Sequence, residues 1–283
     1  MVKALSKRDD KTPVGTNGVV VVTGAGSGIG RATAVAFAGR GATVVAADLN
    51  QETAGETAKL CDAAGGHGHA AVCDVSNTSS LGELAATVRS DYGVPDVVVN
   101  NAGIGLSGAF VDTSLKDWQT ILGVNLWGVI QGCRLFASQM VDRGEGGHIV
   151  NVASAAAYSP SRTLPAYATT KSAVLMLTKC LRAELADSDI GVTAICPGFV
   201  HTGITKATRF VGVSADQQDQ LRNKADSLYK RRNLGPDKVA AAILHGVDHN
   251  VAEVPVGFEA HLLRLIDHVA PPLVRRLARL ELI

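Results

Sequence analysis

Ser154, Tyr167 and Lys171 are the residues of this chain best suited to moving a proton, a serine thirteen positions ahead of a Tyr-x-x-x-Lys pair. Helical positions four apart share a face, so Tyr167 and Lys171 can address one reacting atom together. A free tyrosine, with a pKa near ~10, is a poor base at neutral pH. Bringing it to about 7 takes roughly 4 kcal/mol of preference for the phenolate. One ammonium about 4 Å away, at an effective dielectric near 20, supplies a term of that order. The expectation is a general acid/base, Tyr167, tuned by Lys171. Alone, the pair would suit an ordinary surface helix equally well; the upstream sequence is what favours chemistry.

That upstream sequence begins with Val19–Val22 running into Thr23-Gly24-Ala25-Gly26-Ser27-Gly28-Ile29-Gly30, with a helical pattern after it. A strand, a glycine turn and a helix N-terminus form an anion site, because backbone N–H groups and the helix dipole face a pyrophosphate that glycines allow to come close. The spacing is TGxxxGxG. It is neither GxGxxG nor a P-loop, since no Gly-Lys-Ser/Thr follows. Asp48 ends the second β-branched run. An acid there accepts hydrogen bonds from the adenosine ribose and repels a 2′-phosphate by on the order of 4 kcal/mol. With Leu49, Asn50 and Gln51 after it and Ser27 before Gly28, the reading is NAD(H) over NADP(H). A helix N-cap is the other role open to Asp48.

The elements that must position these groups are short β-branched runs alternating with longer helical stretches. The runs are Val19–Val22, Thr43–Ala46, Ala70–Val72, Val97–Val99, His148–Val152, Val192–Ile195 and Glu253–Val256. Seven strands with helices between them predict a doubly wound α/β domain around a parallel sheet, over residues 19–256. Residues 1–18 read as a polar leader or linker. The segment from about 200 to 235 breaks the rhythm, carries Lys230-Arg231-Arg232, and reads as a lid. Residues 257–283 read as tail helices. Their end places Leu273, Leu277 and Leu280 on one face and Arg275, Arg276 and Arg279 largely elsewhere. Such a helix docks on the subunit or a neighbour, covers an apolar substrate, or touches an anionic membrane.

Of the 283 residues, 46% are hydrophobic and 4% aromatic, which suits a parallel sheet under Ala-rich helices. A net charge of +1 gives no global field for nucleic acid. Cys61, Cys73, Cys133, Cys180 and Cys196 are scattered, without a CxxC pair, as reduced thiols of a cytoplasmic protein would be. There is no signal-peptide pattern, and no apolar run is expected to span a membrane. His245 and His249 lie four apart but lack partners at metal-ligand spacing, so no metal is expected. His201 could meet a substrate or be an ordinary loop residue.

Taken together and in order, these motifs resemble the short-chain dehydrogenases/reductases from about Val19 to Val256. The resemblance implies a Rossmann-type domain with strand order 3-2-1-4-5-6-7 and helices on both faces. It assigns Gly24, Ser27, Gly28, Ile29 and Gly30 to the cofactor loop and Cys73-Asp74-Val75 to an adenine-contacting motif, with Asp74 and Val75 as its contacts. Asn100-Asn101-Ala102-Gly103 matches the element that steadies the central strand, and Asn101, Ala102 and Gly103 border the cofactor. Asn125 matches the family's catalytic asparagine, which binds a water linked to Lys171; a helix-kinking core amide is its other role. Pro197, Gly198, Val200 and Thr202 resemble the segment that holds the nicotinamide carboxamide. The longer leader and tail depart from the family pattern.

The chemistry implied is reversible hydride transfer between NAD(H) and a small-molecule secondary alcohol or ketone, with Tyr167 as acid/base, Ser154 holding the substrate oxygen and Lys171 on the nicotinamide ribose. Phe210, Val211, Val213, Leu228 and Tyr229 in the lid lean toward an apolar or lipid-like substrate. The resemblance implies a homodimer or homotetramer, pairing helices around Trp118–Val141 and Ala166–Leu185. The rivals are a 3-oxoacyl thioester reductase, against which Asp48 counts, and a non-catalytic nucleotide-binding regulator, against which the complete Asn125, Ser154, Tyr167 and Lys171 set counts. The chain could also be one domain of a longer polypeptide.

Overall fold

The computed structural model describes residues 13–232, 234–270, 272 and 278. Its centre is a seven-stranded parallel sheet of β1 (Val19–Thr23), β2 (Thr43–Asp48), β3 (His67–Val72), β4 (Val97–Asn100), β5 (Gly147–Val152), β6 (Ile190–Pro197) and β7 (Glu253–Val256). Their order is 3-2-1-4-5-6-7, as expected. All seven anticipated runs are strands, most of them longer by a few residues.

Valine-rich strands suit a sheet covered on both faces. Successive side chains point to opposite faces, and the core divides accordingly. Val21, Val45, Val98 and Ile149 face α3 (Thr78–Asp91), α5 (Gly128–Arg143) and α6 (Pro165–Glu184). Val20, Val22, Val44, Val97, Val99 and Val150 face α1 (Gly28–Ala38) and α9 (Pro236–Asp248). α2 (Gln51–Ala63) crosses between β2 and β3, its first turn capped by Asn50, whose side chain accepts from the N–H groups of Glu52 and Thr53. The N-cap role considered for Asp48 therefore belongs to Asn50.

α4 (Leu115–Leu122) passes into α5 through a wide turn, Gly123–Trp127, whose bonds close one residue later than an α-helix's. The run Leu115–Arg143 is long and apolar enough to cross a membrane by length and composition, against expectation. Yet 44% of its apolar window is buried within the fold, and Val129, Cys133, Phe136 and Met140 supply core contacts. The anticipated lid contains α7 (Ile204–Ala207), a two-residue strand Arg209–Phe210 and α8 (Ala215–Arg232). That strand pairs with Leu106–Ser107 after β4, a ladder too short to stand out in the sequence. α10 (Phe258–Val269) closes the described fold. In the leader, Val14 packs against the core. Residues 1–12, the side chains of Leu228 to Arg232, and Leu273, Arg275, Arg276, Leu277, Arg279 and Leu280 lie outside the described residues.

A polar chain crosses the core beneath the sheet's C-terminal edge. Asn100 Nδ2 donates to Asn151 Oδ1 at 2.9 Å and to Cys133 Sγ at 3.3 Å, and Asn151 Nδ2 donates to Thr178 Oγ1 at 3.0 Å. Asn100, Asn151 and Thr178 are all buried. Asn151→Ala would leave the buried Asn100 amide with only the weak Cys133 sulfur acceptor, at a cost of about 2 kcal/mol for an under-satisfied buried donor. A urea titration should show that loss, and a change below about 0.5 kcal/mol would mean that the ladder does not tie β4 to β5.

Candidate active site

The sheet order reverses between β1 and β4, and at such a reversal the strand ends diverge and leave a crevice. Thr23 and Asn101 define it. Thr23 Oγ1 accepts from the backbone N–H of Asn101 at 3.1 Å and of Ala102 at 3.2 Å. Asn101 Nδ2 donates to the carbonyls of Thr23 at 2.9 Å and Gly24 at 3.2 Å. Gly24 and Gly28 have φ of +64° and +51°, which L side chains rarely adopt. A methyl group on Gly30 would strike the Gly24 carbonyl and the Asn101 amide, so the loop closes only around glycine there.

Ser27 sits at the N-cap of α1 but makes no side-chain cap bond, which leaves the first turn's N–H groups for an anion. A Cβ on Gly28 would meet Thr202 at 3.1 Å, so the segment after β6 reaches over the loop. Two loop carbonyls are held from outside. Thr57 Oγ1 donates to Ala25 O at 2.8 Å, and Arg31 donates to Gly26 O while pairing with Glu56 at 2.8 Å. Asp48 Oδ2 accepts from Gly26 N–H at 2.8 Å and Oδ1 from Asn50 N–H at 3.0 Å, so the acid expected to meet the adenosine ribose braces the glycine loop. These are the features a dinucleotide pyrophosphate requires.

Asn125, Ser154, Tyr167 and Lys171 converge on one side of this crevice. Ser154 ends the extended chain after β5 and accepts from Ala156 N–H at 3.1 Å. Tyr167 and Lys171 lie on the first two turns of α6, started by Pro165. Lys171 is buried, and its Nζ donates to Val152 O at 2.9 Å. Asn125 is fully buried in the wide turn between α4 and α5. Its Oδ1 accepts from Ile104 N–H at 2.8 Å, and its Nδ2 donates to Ile104 O at 3.0 Å and Thr170 Oγ1 at 3.3 Å. Gly103 marks the meeting point, for a Cβ there would lie 3.4 Å from Asn125 Oδ1 and 3.5 Å from Lys171 Nζ.

The electrostatics differ from the expectation that Lys171 depresses Tyr167. Tyr167 keeps part of its surface exposed, but burial around the phenol pushes its pKa up, and a hydrogen bond with the Ser154 hydroxyl opposes that rise. Burial pulls Lys171 down from 10.5 to about 8. Its Nζ stands 5.8 Å from the Tyr167 ring centroid. The apolar surroundings that would strengthen an ammonium–phenolate attraction also disfavour forming either charge.

Of the other expected residues, Val75 is buried, with Gly128 of α5 beside it. Asp74 Oδ1 accepts from Ser76 N–H at 2.9 Å and Ser76 Oγ at 2.7 Å. Pro197 ends β6, Gly198 N–H donates to Val256 O at 2.9 Å, and Val200 is buried against the α9 side of the core. Ile29 packs on the same side. His201 is exposed. The rings of His245 and His249 lie 4.5 Å apart, tilted to each other, and among the described residues no group of three or more His, Cys, Asp or Glu is arranged to hold a metal. The residues that sequence reasoning missed are the braces, Arg31, Thr57, Thr170, Cys133, Asn151 and Thr178. They carry no motif, and only the tertiary contacts single them out.

A family model described as short chain dehydrogenase matches residues 18–210. The probable oxidoreductase EphD of Mycobacterium tuberculosis is 46% identical over 267 residues, which are 94% of this chain and 45% of that protein. The chain thus spans less than half the length of that relative. A 3beta-hydroxysteroid dehydrogenase of Mediterraneibacter gnavus is 36% identical over 242 residues, covering 80% of this chain and 87% of the relative. Among solved structures, a short chain dehydrogenase/reductase from Burkholderia phymatum in complex with NAD superposes with a TM-score of 0.81 at 29% identity, covering 92% of this chain and 95% of that one. One from Sphingobium yanoikuyae in complex with NADPH gives 0.74 at 25% identity, covering 94% and 97%.

The buried lysine has a measurable signature. Its pKa is lowered on folding, so the penalty for its charge is fully present below about pH 8 and gone by 10.5. That penalty, about 1.4 kcal/mol per unit, exceeds the single hydrogen bond to Val152, about 1 kcal/mol. Lys171→Met should therefore be more stable than wild type at pH 7 by about 2 kcal/mol, with the difference shrinking as pH rises from 8 to 10.5. A variant less stable than wild type at pH 7 would contradict this.

Proposed function

The chain belongs to the short-chain dehydrogenase/reductase family, and from that premise we propose that it interconverts an apolar secondary alcohol and its ketone with NAD(H). The observation that carries this reading is the convergence of Ser154, Tyr167, Lys171 and Asn125 beside a glycine loop built for a pyrophosphate. In the proposed complex, Gly24, Ser27, Gly28, Ile29 and Gly30 hold the pyrophosphate and Asp48 the adenosine ribose. Asp74 and Val75 border the adenine. Asn101, Ala102 and Gly103 line the floor, and Pro197, Gly198, Val200 and Thr202 face the carboxamide. The nicotinamide, when bound, supplies the hydride acceptor at C4.

Tyr167 takes the proton of the alcohol in oxidation and returns it in reduction. Ser154 holds the substrate oxygen beside that phenol, and its contact with Tyr167 supports the role. Lys171 supplies a cation within the buried site and holds the nicotinamide ribose with Tyr167. The side-chain amide of Asn125 is taken up by Ile104 and Thr170, so a water linking Lys171 outward would bind its backbone carbonyl. Because burial favours the protonated phenol, Tyr167 stands ready as a donor in reduction, and oxidation should accelerate with rising pH.

An apolar substrate is supported by the surroundings of Tyr167. Leu106, Ile121 and Ala166 form a small cluster with Ile104, Trp118, Tyr167 and Val211 packed on it. Phe110 meets Trp118 edge-on at 6.0 Å and is exposed, as are Val111 and Leu115 nearby in sequence. The relative named as a hydroxysteroid dehydrogenase leans the same way. The rivals remain a 3-oxoacyl thioester reductase and a non-catalytic nucleotide-binding regulator. The proposed catalytic domain is 19–256, in the cytoplasm. The proposed assembly is a homodimer or homotetramer through α5 and α6, where Val141 and Met176 are exposed, as is Trp127 just before α5.

NADH formation should be followed across secondary alcohols from short polyols through 2-octanol and 3-hydroxyacyl thioesters to sterols. Activity should rise with apolar size, and Tyr167→Phe should abolish it while NADH still binds; turnover by Tyr167→Phe would remove the phenol from the chemistry. Asp48→Ala should erode the preference for NAD⁺ over NADP⁺, by up to about a thousandfold. A wild type already faster with NADP⁺ would overturn the assignment of Asp48.

A further inference from the structure

Behind the crevice, away from the cofactor loop, lies a cluster that the proposed chemistry does not use. Glu253, on the edge strand β7, has a side chain only 9% exposed. Lys179 of α6 stands 3.0 Å from its Oε2 and Arg264 of α10 2.6 Å from its Oε1. The Tyr158 hydroxyl donates to the same Oε1 at 2.9 Å. Tyr158 is buried and ends the short turn Ala155–Ala157, which Ser154 begins. The Cys196 thiol, fully buried on β6, lies close to the Tyr158 hydroxyl and the Ser154 backbone. α10 packs against the same turn.

We propose that Tyr158 and Glu253 are positioning residues for Ser154, coupling the C-terminal helix α10 to the direction of the serine hydroxyl. The proposal rests on the oxidoreductase reading above and adds to it the path by which Ser154 is aimed. From Ser154 to Tyr158 the turn is only five residues long. Its start is fixed by Ser154 accepting from Ala156 N–H, and Ala157 N–H donates back to Ser154 O at 3.0 Å. Its far end has one buried polar anchor, the Tyr158 hydroxyl. If that end shifts, the start rotates and the Ser154 hydroxyl leaves the Tyr167 phenol, and a misplacement of ~1 Å costs a factor of order 100 in rate.

The anchor keeps its protonation across the working range. Burial alone would raise the Glu253 carboxyl, but the hydrogen bonds from Lys179 and Tyr158 and the charges of Lys179 and Arg264 bring it below the ordinary carboxylate value. Burial pushes Tyr158 up, and pushes Cys196 to about 12. One carboxylate shared by two cations and a phenol is therefore a fixed post. Arg264, partly exposed on α10, is the member through which a change at that helix would reach Ser154.

The test is steady-state kinetics with NAD⁺ and the fastest secondary alcohol of the panel. Tyr158→Phe removes one oxygen and leaves both cations on Glu253. It should lower kcat roughly tenfold with KM for NAD⁺ within about twofold. In a Ser154→Ala background the same change should cost nothing further, because it acts through that hydroxyl. Arg264→Met, at the solvent side, should lower kcat by a smaller factor of about three with the same non-additivity, and decides the matter if Tyr158→Phe does not fold. Unchanged kcat in the folded variants, or losses that multiply in full on Ser154→Ala, would overturn the proposal. A wild type inactive on every alcohol would overturn the underlying reading and this one with it. A wild type that turns over while Tyr167→Phe does not upholds that reading whichever way Tyr158 falls.

Discussion

The structure depends on keeping β1 and β4 joined where their continuations must part. Strand pairing ends at Val22 and Val99, and beyond it the backbone groups of two diverging loops would otherwise go without partners. Thr23 and Asn101 take them up, the hydroxyl accepting from two N–H groups and the amide donating to two carbonyls. A buried peptide group left unpaired costs about 1–3 kcal/mol, so four such bonds decide whether the crevice is held open or collapses. The glycine at position 30, pressed against Gly24 and Asn101, is the counterpart of that tie on α1.

Burial then sets the character of the chemistry. Asn125, Lys171 and the Tyr167 phenol sit where water has little access, which strengthens every interaction among them and makes every charge expensive. Lys171 carries part of that cost as a lowered pKa, and Tyr167 carries it as a raised one. The wide turn that holds Asn125 lets one amide join the loop after β4 to α6. Three elements distant in sequence are thus locked at one point beside Gly103. The second polar cluster, around Glu253, lies on the sheet's edge strand and does the same for the other end of the Ser154 turn.

Much of this was legible in the chain. The valine runs, the glycine spacing and the Ser–Tyr–Lys intervals each reflect a local rule, whether the two-residue period of a strand, the backbone freedom of glycine, or the shared face of helical positions four apart. Asp48 shows where local reading stops. Its place at the end of β2 was evident, but not that its carboxylate would hold Gly26 and leave the helix cap to Asn50. The short ladder between Leu106–Ser107 and Arg209–Phe210 was invisible for the same reason, since two residues carry no period.

The order of elements, the candidate chemical side chains and the sheet that carries them could be read along the chain, because those follow from patterns within a few residues. The state of those side chains follows from packing in three dimensions. Whether Lys171 stabilises a phenolate depends on its distance from Tyr167 and on how much water reaches both. Whether Tyr158 anchors anything depends on Glu253, Lys179 and Arg264 arriving from three other elements. Desolvation and long-range pairing are properties of neighbours in space, and a chain read along its length does not contain them.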